Sequence, residues 1–218
     1  PQRTILRPTT MYGVTKVSGE LLCNYYVKRF GLDVRGVRYP GIISAETLPG
    51  GGTTDYAVAI FYEAIKHSRY TCFVRPDTVL PMMYMPDCIR ATMMLMEAPL
   101  EKLNYHADYN LAALSFSAEE LAAEVAKHVP GFVCDYQPDF RQAIADSWPC
   151  TIDDSAARED WGWRPQYGLR MRLEKPEEWE LGWLCLVLRD LAEGLLTLGA
   201  KGLGRVGALR RPVAMGTM

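Results

Sequence analysis

Helical and extended segments alternate between residues 12 and 161, and this alternation constrains the fold more than any other feature of the sequence. An amphipathic helix is predicted over residues 12–30, with Gly31 as its stop, and a strand over residues 33–39, ended by Pro40-Gly41. The remaining predicted helices are 55–67, 86–97, 117–129, 140–145 and 154–161, and the remaining predicted strands are 70–74, 79–84, 105–110 and 132–137. Strands that alternate with helices indicate an α/β architecture.

The composition is that of a globular protein and excludes several functions. Hydrophobic residues make up 49% and charged residues 23% of the 218 residues, which is enough apolar material for a core. Lysine and arginine total 24 against 26 acidic residues, and this net charge of -2 argues against nucleic-acid binding. No charge-free apolar stretch reaches the roughly 20 residues that a transmembrane helix needs, so none is expected.

The cysteines and histidines are scattered. The six cysteines form no CxxC pattern, and the three histidines stand singly. Metal sites and disulfide frameworks need clustered or regularly spaced ligands. We therefore expect reduced thiols that pack as small apolar side chains, and no bound metal.

Tyr12 and Lys16 are the candidate catalytic pair. Residues at i and i+4 of a helix share one face, and an ammonium beside a phenol favours the phenolate. Such a tyrosine can take the proton of a substrate hydroxyl while the hydrogen on the same carbon leaves as hydride to a nicotinamide. A second YxxxK, from Tyr62 to Lys66, lies inside an ordinary predicted helix and is interpreted as a helix face only.

Several separated motifs give the pair a specific context. The motif P-x-x-x-Y-G-x-x-K over residues 8–16, followed by R-Y-P-G over 38–41, resembles the extended short-chain dehydrogenase/reductase superfamily, also called the NAD-dependent epimerase/dehydratase family. Together with PGGGTTDY over 49–56, S-W-P over 147–149 and D-W-G-W over 160–163, these motifs more narrowly resemble its L-threonine 3-dehydrogenase members from animals. The resemblance runs from about residue 4 to residue 178.

The resemblance implies a Rossmann-like α/β fold, of which this chain holds the C-terminal half with its small substrate domain. It implies that Tyr12 is the general base, that Lys16 binds the ribose of NAD, and that the backbone at Ile42 contacts the nicotinamide. The family's pyrophosphate-binding GxGxxG does not precede Tyr12 in this sequence, and the glycines of residues 199–207 are interpreted as a flexible tail. We therefore expect that the cofactor half is missing and that the chain alone binds NAD poorly and folds incompletely.

The resemblance also implies the substrate, L-threonine, which would be oxidised to 2-amino-3-oxobutanoate. The residues implied to contact it are Tyr12, Thr53, Thr54 and Trp148. From the residues alone, the two threonines can equally well cap the helix that starts near Asp55, and Trp148 can be a core residue. Arg38 is predicted to order the end of its strand rather than to bind substrate.

Two rival functions stay open. One is a non-catalytic remnant that binds a partner subunit through the helix at residues 12–30, since the resemblance implies a homodimer built on that helix. The other is a different extended dehydrogenase or a sugar epimerase, against which Thr53-Thr54 and the S-W-P segment argue. The resemblance further implies a mitochondrial location.

The character of the sequence changes after about residue 180. Residues 181–198 are rich in leucine, and residues 201–218 combine glycine with three arginines. We therefore predict two parts, a catalytic and substrate-binding half of an α/β domain over residues 1–180 and a divergent tail over residues 181–218. The tail is interpreted as an amphipathic helix with a frayed end, the alternative being a helix that binds a membrane surface or a partner.

Overall fold

The first helix, α1 (Met11–Phe30), has the caps that its sequence predicts. In the computed structural model, which describes residues 1–44 and 47–169, Thr10 Oγ1 accepts a hydrogen bond from the Gly13 amide at 3.1 Å. Gly31 ends the helix in the left-handed conformation at φ 65°, which glycine adopts without strain. The helix contains no buried residue. The apolar residues of α1 are spread around the helix and do not gather on one face, so the prediction of an amphipathic helix is wrong here, and none of these residues is buried in the core.

Five further α-helices, one short 3-10 helix (Leu100–Lys102) and seven strands follow among the described residues. The helices are α2 (Tyr56–His67), α3 (Met85–Glu97), α4 (Ala118–Ala126), α5 (Phe140–Asp146) and α6 (Ser155–Trp161). The strands are β1 (Val37–Arg38), β2 (Gly41–Ile43), β3 (Arg69–Cys72), β4 (Val79–Tyr84), β5 (Tyr109–Asn110), β6 (Leu114–Ser117) and β7 (Val133–Tyr136). The predicted α/β class is confirmed.

The strands pair in three small groups. β1 pairs with β5 and β3 pairs with β7, both in parallel. β2 pairs in parallel with β4, whose other edge carries β6 in antiparallel orientation. In the register of β2 and β4, Gly41 lies opposite Met82 and Ile42 lies opposite Met83. This pairing places Ile42 and Ile43, which follow the R-Y-P-G motif, beside the buried strand β4.

One cluster of the core lies where β4 and β5 meet α3 and α6, and further buried side chains come from α2 and α4. The largest fully buried members of this cluster include Met83, Tyr109, Leu111 and Trp163. The Tyr109 hydroxyl donates to Asp160 Oδ2 at 2.5 Å, which joins β5 to α6. A glycine is required at residue 36, because a Cβ there would lie 2.8 Å from the backbone oxygen of Ala107.

The structure corrects two strand predictions and adds two strands. The strand predicted over 33–39 shrinks to β1, and the strand predicted over 105–110 shrinks to β5, because each has only the other as a partner over two residues. β2 and β6 were not predicted. Among residues 1–44 and 47–169, no helix combines the length and apolar character needed to cross a bilayer. The predicted boundary near residue 180 and the tail at 181–218 lie outside the described residues.

Candidate active site

Tyr12 and Lys16 contact each other at the start of α1. The Lys16 Nζ lies 5.3 Å from the centroid of the Tyr12 ring, within the range of a cation–π interaction. Tyr12 is 73% exposed, and Lys16 is exposed as well. A ligand can therefore reach both side chains from solvent.

The turn that holds Tyr12 explains the proline and glycine of its motif. A Cβ at Gly13 would lie 2.7 Å from Pro8 Cβ, so only glycine lets the first turn of α1 pack on that proline. Thr10 caps the same turn through the Gly13 amide. The turn that contains Tyr12 is thus fixed by the Thr10 cap and by the close packing of Gly13 on Pro8. A YxxxK in the middle of a helix has neither feature.

The second YxxxK has a different environment. Tyr62 lies on α2 and is only 8% exposed, as a member of the core. A substrate hydroxyl has no access to a phenol buried in this way. The interpretation of Tyr62 and Lys66 as an ordinary helix face agrees with this burial.

Thr54 packs against the strand that contains Ile42. A Cβ at Gly41 would lie 2.8 Å from Thr54 Cγ2 and 2.5 Å from Met82 Sδ, so both side chains occupy the space above this glycine. Ile42, the next residue, is half-buried against the core. The structure therefore brings Thr54 together with the segment of Ile42.

Neither Thr53 nor Thr54 is the N-cap of α2. That position is held by Asp55, whose carboxylate turns back to accept hydrogen bonds from the amides of Gly51 and Gly52 at 2.8 and 2.9 Å. Thr53 is buried and Thr54 is half-buried. The capping alternative is therefore wrong.

The glycine loop borders an open groove of about 600 Å³, which Arg141 also lines.

Trp148 lies on a separate element, directly after α5. That helix packs on the segment between β3 and β4, where Thr78 Oγ1 donates to Gln142 Oε1 at 3.2 Å. Trp148 is 43% exposed, so the alternative that it belongs to the core is wrong.

Arg38 joins α1 to the rest of the fold. Its Nε donates to Glu20 Oε2 at 2.7 Å, and its Nη1 donates to Asn110 Oδ1 at 3.2 Å and to the Gln2 carbonyl at 3.1 Å. The Glu20 carboxylate raises the pKa of Arg38 above its ordinary value. The prediction that Arg38 orders its strand end agrees with these contacts. Its partner Glu20 had no signal in the sequence, because only the fold brings the two together.

The comparisons with known proteins place these residues in a family. Residues 2–112 match the NAD dependent epimerase/dehydratase family. The chain belongs to this family. It is 58% identical over 170 residues to the mitochondrial L-threonine 3-dehydrogenase of Bos taurus, a match that covers 78% of this chain and 45% of the relative. An uncharacterized epimerase/dehydratase of Staphylococcus haemolyticus is 56% identical over the same length and is covered to 54%.

Solved structures of family members are also similar. The L-threonine dehydrogenase of Phytophthora infestans superposes with a TM-score of 0.78 at 59% identity, over 80% of this chain and 57% of that one. The UDP-glucuronic acid 4-epimerase of Bacillus cereus superposes with a TM-score of 0.61 at 21% identity, which shows a shared fold alone. The chain spans about half the length of the curated relatives that it matches.

Proposed function

We propose that this chain forms the catalytic and substrate-binding part of an NAD-dependent L-threonine 3-dehydrogenase, which oxidises L-threonine to 2-amino-3-oxobutanoate. The observation that carries the proposal is the contact of Tyr12 with Lys16 in a capped, exposed first turn. The high identity to named L-threonine dehydrogenases supports it, whereas the sugar epimerase shares only the fold. A sugar epimerase and a non-catalytic remnant are accordingly not favoured.

In the proposed reaction, Tyr12 Oη accepts the proton of the threonine hydroxyl. Bound NAD would accept the hydride from the same carbon. Lys16 holds its ammonium group 5.3 Å from the centroid of the Tyr12 ring, on the same face of α1. The exposed Lys16 and the backbone at Ile42 fit the ribose and nicotinamide end of the cofactor. The GxGxxG that would bind its pyrophosphate does not precede Tyr12 in this sequence.

Thr53 and Thr54 are proposed to bind the substrate carboxylate. Hydroxyls are suitable donors to an anion, whereas the amides of Gly51 and Gly52 already donate to Asp55. Thr54 lies beside Gly41, so a substrate held there would be close to the segment of Ile42. Trp148 is proposed to cover the closed site, and its half-exposed indole has surface available for that contact.

Assembly and location follow from the same proposal. The exposed apolar side chains of α1, among them Leu21, Leu22, Tyr25 and Phe30, support a homodimer formed through this helix. The mitochondrial relative from Bos taurus supports a mitochondrial role in threonine catabolism. A relative of similar identity also occurs in Staphylococcus haemolyticus.

The test uses a fusion enzyme, in which the amino-terminal half of the Bos taurus relative precedes this chain. We expect NADH formation from L-threonine in this fusion enzyme. O-methyl-L-threonine is the matched control, because its oxygen carries no proton for Tyr12 to accept. The proposal would be wrong if the fusion enzyme bound NAD but formed no NADH from L-threonine, or if UDP-glucuronic acid were turned over instead.

A further inference from the structure

The Thr54 side chain packs directly against Gly41. The Thr54 atom nearest to the position of a Cβ at residue 41 is its methyl carbon, at 2.8 Å, followed by its own Cβ at 3.1 Å. The sulfur of Met82 lies 2.5 Å from the same position. The space above Gly41 is therefore already filled by one methyl group and one thioether.

The direction of this contact determines where the Thr54 hydroxyl points. Threonine has a stiff χ1 angle, because two heavy atoms branch at its Cβ. With the methyl turned toward Gly41, the hydroxyl lies farther from the position of a Cβ at residue 41 than the methyl does. A residue with any Cβ at position 41 would push the methyl off the strand and force Thr54 into another rotamer.

Neither side of the contact can easily give way. Gly41 lies opposite Met82 in the parallel register of β2 and β4, and Met82 is fully buried. Ile43, two residues further along β2, is buried as well. Packed interiors transmit a displacement of this kind rather than absorb it.

We propose that Gly41 is a positioning residue for the substrate threonine site. It holds the methyl of Thr54 so that the hydroxyl keeps one orientation, at a fixed distance from the backbone of Ile42. This proposal rests on the function proposed above. It gives the Thr54 methyl a role separate from that of the hydroxyl, and it assigns a reason for glycine in the R-Y-P-G motif other than the turn.

The test is a double-mutant cycle with Gly41→Ala and Thr54→Ser, because serine keeps the hydroxyl and removes the methyl. In the fusion enzyme, Gly41→Ala should lower the thermal midpoint by about 2–12 °C, as overpacking does in a domain of about 150–250 residues. In the Thr54→Ser background, Gly41→Ala should lower the thermal midpoint by clearly less. In the Thr54→Val background, which keeps the methyl, it should lower the midpoint as much as in the parent.

The second readout is kinetic. In the fusion enzyme, Gly41→Ala should raise the KM for L-threonine by about tenfold, with a smaller effect on kcat, and Thr54→Ser should partly rescue that KM. The matched control is Gly168→Ala, outside α1 and the proposed site, where a Cβ meets no atom within 4 Å. It should lower neither the midpoint nor the affinity.

Two results would overturn the proposal. If the changes in thermal midpoint caused by Gly41→Ala and Thr54→Ser are additive in the double mutant, the two residues do not share the contact. If they couple in the thermal cycle but KM is unchanged, the contact is structural and does not position the substrate site. A failure of the proposed function gives a different result. The unsubstituted fusion enzyme would then not oxidise L-threonine, although the changes in thermal midpoint would still be non-additive.

Discussion

Arg38→Met should loosen the catalytic helix, since Arg38 is the residue that ties α1 to the strands. The change keeps the apolar stem but removes the hydrogen bonds to Glu20, Asn110 and the Gln2 carbonyl. The Arg38 and Glu20 side chains are 24% and 13% exposed, so their pair is largely shielded from water. Hydrogen bonds to charged groups are worth about 1.5–3 kcal/mol each. With partial solvent screening, we expect a total loss of about 2–4 kcal/mol.

The assay is thermal unfolding followed by circular dichroism, together with limited tryptic cleavage at Lys28 and Arg29. At about 2–4 °C per kcal/mol for a domain of this size, the midpoint should fall by roughly 4–16 °C, and cleavage should accelerate. Arg75→Met is the control, because its ion pair with Asp146 is half-exposed and screened, so the midpoint should not change measurably. Equal effects of the two substitutions would refute the reasoning.

Three further predictions concern the scaffold. Gly36→Ala should lower the thermal midpoint, because the backbone oxygen 2.8 Å from the new Cβ cannot move aside; an unchanged midpoint would contradict this. The hydrogen bond from Arg141 lowers the pKa of Asp139 below its ordinary 3.8, so its stabilisation is present above that pH and is lost as the pH falls through the lower folded value. Between pH of about 5 and about 2, the midpoint should therefore fall less in Asp139→Asn than in the parent. Burial raises the pKa of Cys72 to about 11, so iodoacetamide at neutral pH should label the exposed Cys150 well before it, as mass spectrometry of the peptides would show.

Local signals predicted much of this fold correctly. The left-handed Gly31 at the end of α1 and the capping box of Ser117 and Glu120 both depend on residues within a few positions of each other. β4 was also predicted with its observed bounds, because six consecutive buried or half-buried residues are typical of a central strand. Signals of this kind are contained in the chain itself and need no distant partner.

The features that the sequence did not predict depend on distant partners. β2 is three residues long and begins at the glycine of a Pro-Gly that is typical of a stop, and only its pairing with β4 makes it a strand. The pair of Glu20 with Arg38, and the contact of Thr54 with Gly41, likewise join residues that only the fold brings together.

The central claim is that Tyr12 is the acid–base group of L-threonine oxidation, and Tyr12→Phe in the fusion enzyme tests it most directly. The change removes one hydroxyl from a side chain that is 73% exposed, so folding should be unaffected. Because general acid–base groups contribute about 100- to 10,000-fold, kcat for L-threonine should fall by at least about 100-fold. The matched control is Lys66→Met, in the second YxxxK, which should leave kcat within about twofold of the parent value. If Tyr12→Phe kept near-parental kcat, or if Lys66→Met lost as much, the assignment of the catalytic tyrosine would be wrong.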